Sequence, residues 1–217
     1  MQIQGVIFDF NGTLFWDTEF HNQAWDIYLK RNGMSISDAD KDEHIHGKPN
    51  KAIFEFLFQR SLTADELNEA VEEKESIYRD ICVKSDTSLA PGAIGFMEFL
   101  KNNNIPFNIA TSSGPGNVKF FFKHFQLDKW FDKEKVVYDD GTFNGKPAPD
   151  IFILAARNIN VPITGCVIFE DSVTGLKAAA NANALKVFYV KSNNIEVKEK
   201  VDQVISDFNQ VDRRMFD

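Results

Sequence analysis

Val6-Ile7-Phe8-Asp9-Phe10-Asn11-Gly12-Thr13 is the stretch from which the fold of this chain can be read. Three apolar residues lead directly into a carboxylate and then a glycine turn. A short, continuously apolar run suits a strand buried on both faces of a parallel sheet. Open parallel sheets collect ligands beyond the carboxyl ends of their strands, so Asp9 stands where chemistry is expected. Asn11, two residues on, occupies the place where a catalytic pair needs a second carboxylate. A carboxamide hydrogen-bonds, but it neither delivers nor removes a proton as a carboxyl group does.

Outward from this stretch the pattern alternates. Strand-like runs at Ile3 to Phe8, Phe107 to Thr111, Val136 to Tyr138, Cys166 to Phe169 and Lys186 to Tyr189 are separated by helical patterns. Those helices are expected at Ala93 to Asn102, Gly116 to Phe125, Asp150 to Asn158 and Ser172 to Asn183. This is the signature of an α/β protein with a Rossmann-like, doubly wound parallel sheet. From about Glu19 to Ser85 the periodicity is helical only. There Thr63-Ala64-Asp65-Glu66 is a capping box, and Leu67, Ala70, Val71, Ile77, Tyr78 and Ile81 follow at helical spacing. The expected organisation is a core of residues 1–15 and 88–217 with an inserted all-helical cap over residues 16–87.

Composition narrows the class. A length of 217 residues with 43% hydrophobic residues and 21 Phe supports a sizeable core. A net charge of −8 disfavours nucleic acid and anionic membrane as partners. No apolar run approaches the ~20 residues that cross a bilayer. Met1-Gln2-Ile3-Gln4 lacks a basic segment before an apolar one, so no secretory signal is expected. Cys82 and Cys166 read as separate thiols, consistent with a cytoplasmic, reducing location. Four His and two Cys show no zinc spacing. A monomer is expected.

Four places at or after strand ends form a chemically coherent set: Asp9, Thr111-Ser112-Ser113-Gly114, Lys146 within Gly145-Lys146-Pro147-Ala148-Pro149-Asp150, and Glu170-Asp171-Ser172. A phosphoryl group needs its charge neutralised and its oxygens held. Carboxylates suit magnesium, a lysine supplies compact positive charge, and a hydroxyl with the following amides can hold phosphate oxygens.

In order and identity these residues resemble the haloacid dehalogenase superfamily of phosphatases and phosphomutases, most closely its β-phosphoglucomutase-like branch. Asp9-Phe10-Asn11-Gly12-Thr13-Leu14, Thr111-Ser112, Lys146 with the Pro-Ala-Pro-Asp run, and Phe169-Glu170-Asp171-Ser172 match its four motifs. The segment Glu19-Phe20-His21 to Trp25 is similar to that branch's passage into a helical cap. The resemblance implies that Asp9 is the nucleophile of an aspartyl-phosphate. It implies that Asp9, the backbone carbonyl of Asn11 and Asp171 hold Mg2+, with Glu170 supporting the metal or its waters. Thr111 and Ser112 then bind the phosphate, and Lys146 neutralises charge between it and the nucleophile.

The chain departs from the pattern at Asn11, where most of these enzymes carry the acid–base Asp. Three readings of Asn11 stand open: a natural residue whose proton-transfer role passes to a cap residue or the substrate, with His21 the first candidate; an engineered change; or a naturally weakened catalyst. His21 is equally readable as a structural histidine between domains. His44 and His46 suggest a metal pair or, with Gly47-Lys48-Pro49-Asn50, a cap loop near the substrate. The branch's mutases carry an Arg near the end of that loop. Here Asn50 stands in its place with Lys48 and Lys51 beside it, which favours hydrolysis over mutase activity. Trp16, where relatives often have Asp, reads as packing, and Asp17 follows it. Asp150 and Ser172 read as helix-start residues. The expected function is a magnesium-dependent phosphatase of a small phosphorylated metabolite, with a sugar phosphate foremost. The alternatives are a β-phosphoglucomutase-type mutase and a catalytically weakened phosphometabolite-binding protein.

Overall fold

The computed structural model describes residues 2–45, 48–192 and 197–216. Its elements in chain order are β1 (Gly5–Phe8), α1 (Thr18–Arg31), α2 (Asp38–His44), α3 (Asn50–Phe58), α4 (Ala64–Lys84), α5 (Ala93–Asn102), β2 (Phe107–Thr111), α6 (Pro115–Phe125), β3 (Val137–Tyr138), α7 (Asp150–Asn158), β4 (Cys166–Glu170), α8 (Val173–Asn181), β5 (Lys186–Val190) and β6 (Gln203–Ile205). They fall into two compact units, Met1–Asp17 with Ser88–Asp217, and Thr18–Thr87.

The first unit is built on one parallel sheet with strand order β3-β2-β1-β4-β5-β6. β1 lies inside it because Val6, Ile7 and Phe8 have no exposed surface and need cover on both faces. Phe8 pairs with Ile109 of β2 on one side and Phe169 of β4 on the other. In that register β1 ends one residue before β4 and two before β2, so the residues just beyond the three strands share one edge of the sheet. The strand order reverses around β1, which is the topological position where such sheets bind ligands.

Alternation along β1 divides the core. Ile7 faces a cluster with Ile168 of β4, Phe152 and Ala155 of α7, and Leu176 and Ala179 of α8. Phe8 stacks on Phe169 at 5.3 Å and meets the edges of Phe96 and Phe208 at 6.0 and 5.8 Å. This aromatic layer explains much of the Phe content. Phe120-Phe121-Phe122 in α6 follows the same logic, since Phe121 and Phe122 are buried and Phe121 stacks on Phe10 at 4.4 Å. Cys166 is buried at the start of β4, and burial pushes its thiol up to about 12.

The expected strands and helices are present with small shifts. β1 begins at Gly5 rather than Ile3, and α8 begins after Ser172. β6 goes beyond the expected set. Its three residues Gln-Val-Ile are too short and too polar to stand out as a run, and only pairing with β5 makes them a strand.

The second unit is helical throughout its described elements. Thr63 accepts from the Glu66 amide while Glu66 accepts from the Thr63 amide, so both halves of the expected capping box form. Trp25 and Tyr28 of α1 pack on Phe54 of α3 with ring centroids 5.6 and 5.7 Å apart. Lys74 of α4 is buried here. Its ammonium lies 2.8 Å from Glu75, 2.9 Å from Nδ1 of His21 and 5.0 Å above the Trp25 ring, which offsets its desolvation. Among the described residues no helix is long and apolar enough to cross a membrane.

Candidate active site

Asp9 leaves the end of β1 with its amide donating to the Phe169 carbonyl at 3.0 Å, which ties it to β4. Glu170 ends β4 and Asp171 follows it. Asp9, Glu170 and Asp171 are 5, 1 and 9% exposed, and each places an oxygen within 4.8 Å of the others. Lys146 reaches them from the loop before α7. Its Nζ lies 2.6 Å from Asp9 Oδ1 and 2.6 Å from Glu170 Oε1, and 5.0 Å over the Phe152 ring. Asp150 opens α7 as a helix-start residue, accepting from the Asn144 amide at 3.1 Å.

Local sequence holds these groups in place. Ser172 caps α8 by accepting from the Gly175 amide at 3.0 Å. It also turns its own amide onto Glu170 Oε2 at 2.6 Å, so the cap orients the carboxylate that meets Lys146. Gly175 lies against Glu170 so closely that a Cβ there would overlap its carboxylate. Thr13 donates to Asp171 Oδ1 at 3.4 Å.

The charge balance is uneven, because these three buried carboxylates share the single charge of Lys146. Burial raises the Asp9 carboxyl most. Glu170 adds to that and Lys146 opposes it, and the balance leaves Asp9 pushed up to about 7. Burial and the charges of Glu170 and Asp9 push Asp171 well above the usual carboxylate range. Burial alone would lower Lys146, but Asp9 and Glu170 outweigh it and raise it. Packed acids of this kind are short of positive charge. An oxygen-only donor set with that deficit fits a hard divalent cation such as Mg2+.

Thr111 ends β2, is buried, and stands beside this group across the β1–β2 pair. The turn after it runs into α6, which starts at Pro115 after Gly114, so helix amides and hydroxyls gather at this edge. Ser112 is exposed on this turn. Ser113, which the sequence does not distinguish from its neighbours, points its hydroxyl at Asn11 Oδ1 at 2.8 Å, and the Thr111 hydroxyl lies 3.3 Å from the same oxygen. The other end of the Asn11 carboxamide meets Asp17, a buried carboxylate to which sequence alone assigns no role: Asn11 Nδ2 donates to Asp17 Oδ2 at 2.5 Å. Its signal in the sequence is faint, an acidic residue six positions after Asn11 in a largely apolar stretch.

The structure thus gathers Asp9, Asn11, Thr111, Lys146, Glu170 and Asp171 at one edge of the sheet. The candidate cap residues belong to the helical unit. His21 is stacked on Tyr78 at 3.9 Å with Nδ1 facing Lys74. With the ammonium donating, Nδ1 accepts and Nε2 carries the ring hydrogen. Lys48 and Asn50 are exposed around the start of α3, and His44 stacks on Phe56 at 4.0 Å. His46 and Gly47 lie outside the described residues. Among the described residues, Asp9, Glu170 and Asp171 form the group able to hold a metal.

Known proteins resemble this chain over most of its length. The crystal structure of a haloacid dehalogenase hydrolase, family IA, variant 3, from Entamoeba histolytica superposes with a TM-score of 0.91 at 37% identity, covering 99% of this chain and 98% of that one. A phosphorylated carbohydrates phosphatase of Thermotoga maritima is 28% identical over 87% of this chain and 85% of its own length. A fructose-1-phosphate phosphatase of Escherichia coli is 29% identical over 82% of this chain and 92% of its own. The family model of the haloacid dehalogenase-like hydrolases matches residues 3–183, a span holding every carboxylate and the lysine of the site, and the chain belongs to that family.

Proposed function

We propose that this protein is a magnesium-dependent phosphatase that hydrolyses a small phosphorylated metabolite, a sugar phosphate foremost, through an aspartyl-phosphate on Asp9. The observation that carries this reading is the placement of Lys146 Nζ 2.6 Å from Asp9 Oδ1, with Glu170 and Asp171 alongside. Lys146 engages Oδ1, so Oδ2 is the proposed attacking atom. Asp9, Asp171 and the backbone carbonyl of Asn11 are the proposed holders of Mg2+, with Glu170 supporting them, and the ion when bound supplies charge neutralisation at the phosphoryl oxygens. Thr111, Ser112 and the amides leading into α6 hold the phosphate. Lys146 offsets the charge gathered between phosphate and nucleophile. Covalent transfer divides one displacement into two easier ones. The sugar-phosphate class is supported by the names of the phosphatases of Thermotoga maritima and Escherichia coli.

The helical unit is the proposed selector of substrate, with His21, Lys48 and Asn50 as its substrate-facing residues. His21 is the proposed proton-transfer group in place of a carboxylate at position 11, with Lys74 against Nδ1 placing the ring hydrogen on Nε2. A second reading, a phosphometabolite-binding protein with weakened turnover, is favoured by one specific feature, the amide at Asn11. The test is a panel of sugar phosphates, nucleotides and an activated aryl phosphate, assayed with and without Mg2+. Release of phosphate that needs Mg2+ supports the phosphatase. Binding without release, even from the aryl ester, supports the second reading.

A further inference from the structure

The Asn11 carboxamide is held at both ends by groups that favour one orientation. Ser113 donates its amide to Thr111 Oγ1 at 3.1 Å, so the Thr111 proton must point elsewhere, and Asn11 Oδ1 lies 3.3 Å away. The Ser113 hydroxyl adds a second approach to that oxygen at 2.8 Å. On the other side Asp17 is 1% exposed and its carboxylate only accepts. Its Oδ2 takes Asn11 Nδ2 at 2.5 Å, and its Oδ1 takes the Gly12 amide at 3.1 Å, a hydrogen shared with the Phe15 carbonyl at 2.6 Å. Turning the Asn11 amide over would set Oδ1 against the Asp17 carboxylate with no hydrogen between them.

We propose that Asp17 is the positioning residue of this site: it selects the orientation in which Asn11 presents its carbonyl oxygen to the phosphate-binding turn, and it makes Asn, not Asp, the side chain that position 11 accepts. The proposal rests on the phosphatase reading above. A carboxylate at position 11 would face the Asp17 carboxylate with no hydrogen between them, in a buried place where like charges repel strongly. A carboxamide at position 17 would turn a donor toward either the Gly12 amide or Asn11 Nδ2. Exchanging the two side chains restores a donor opposite an acceptor in each of these hydrogen bonds. The carboxylate then at position 11 would accept from the new amide group and from the two hydroxyls, while the carboxamide oxygen at position 17 would accept from Gly12. The negative charge that the family pattern places at position 11 is therefore present in this chain, six residues along, and the two positions are coupled.

The experiment compares four proteins: the unaltered chain, Asn11→Asp, Asp17→Asn, and the double exchange. Urea midpoints and the kcat and KM for an activated aryl phosphate with Mg2+ are measured for each. Each single change is expected to lower the midpoint and to reduce kcat by about tenfold or more, with KM moving less than about threefold. The double exchange is expected to recover the midpoint and to equal or exceed the kcat of the unaltered chain, because a carboxyl group then stands at position 11 with its contacts complete. Should a single variant not fold, a folded double exchange is itself the rescue. Additive losses, an unfolded double exchange, or Asn11→Asp alone gaining activity at an unchanged midpoint would overturn the proposal. An inert unaltered chain whose midpoints still show the coupling would instead locate the failure in the phosphatase reading, and would remove the role of Asp17 in catalysis with it.

Discussion

Gly12 approaches Asp171 so closely that a Cβ on Gly12 would overlap the carboxylate oxygen Oδ2, at a backbone φ of +76° that L side chains rarely adopt. The turn after β1 and the acidic end of β4 are therefore one fitted unit. Gly12→Ala is expected to cost about 1–3 kcal/mol of stability from backbone strain, and more from the displaced carboxylate. Urea unfolding checks the first part. Isothermal titration with Mg2+ checks the second, with weaker binding expected because Asp171 is forced out of place.

Asp9→Asn removes the proposed nucleophile while keeping its shape. Covalent labelling by a phosphoryl donor should vanish, and intact-protein mass spectrometry after acid quench reads it directly. A phosphorylated protein that survives this change would exclude Asp9 as the acceptor.

Lys146→Met removes the ammonium that meets Asp9 and Glu170 and leaves buried carboxylates facing one another. Breaking a buried pair from one side costs about 3–5 kcal/mol. The loss should be smaller when millimolar Mg2+ is present during unfolding, since a cation among the same carboxylates replaces part of the missing charge. Equal losses with and without Mg2+ would argue against a metal at this group.

Stability without metal should fall as pH rises. Asp9 is pushed from its ordinary 3.8 up to about 7, so between these values the folded chain holds a proton that the unfolded chain has released. Where the folded state binds more protons, stability declines with rising pH; for this group it is full below about pH 4 and lost as pH rises through about 7. Asp171 shifts in the same direction. Mg2+ binds the ionised carboxylates, so the rise in melting temperature on adding Mg2+ should be larger at about pH 8 than at about pH 5.5. Thermal melts at the two pH values measure it, and a larger rise under the acidic condition would contradict the assignment of these groups.

Much of the core is legible in the sequence because its signals are local. Val6-Ile7-Phe8 is a short apolar run leading into a polar turn, the pattern of an interior strand, and it pairs with β2 on one side and β4 on the other. Asp9, Thr111, Lys146, Glu170 and Asp171 are legible because each ends or follows a strand or sits in a recognisable turn. Thr63 and Glu66 announce α4 by spacing alone. β6 is hidden because three residues carry too little pattern without the partner strand that completes their hydrogen bonds.

Asp17 and Ser113 are hidden for a different reason. Neither has a spacing that marks it, and their part in the site comes from contacts spanning 6 and 102 positions to the same carboxamide. From sequence, Asn11 is a missing proton donor. In the folded chain it is a polar group with both ends occupied, and its neighbours explain its presence.

The residue types by themselves determined a parallel α/β sheet, a helical insertion and an acidic, lysine-bearing edge, because burial, periodicity and charge are properties a short segment carries with it. Which carboxylate faces which donor, and which way one amide turns, was decided only when strands distant in the chain were brought side by side. Hydrogen bonds act over about 3 Å, and no linear pattern encodes a distance that short between residues so far apart.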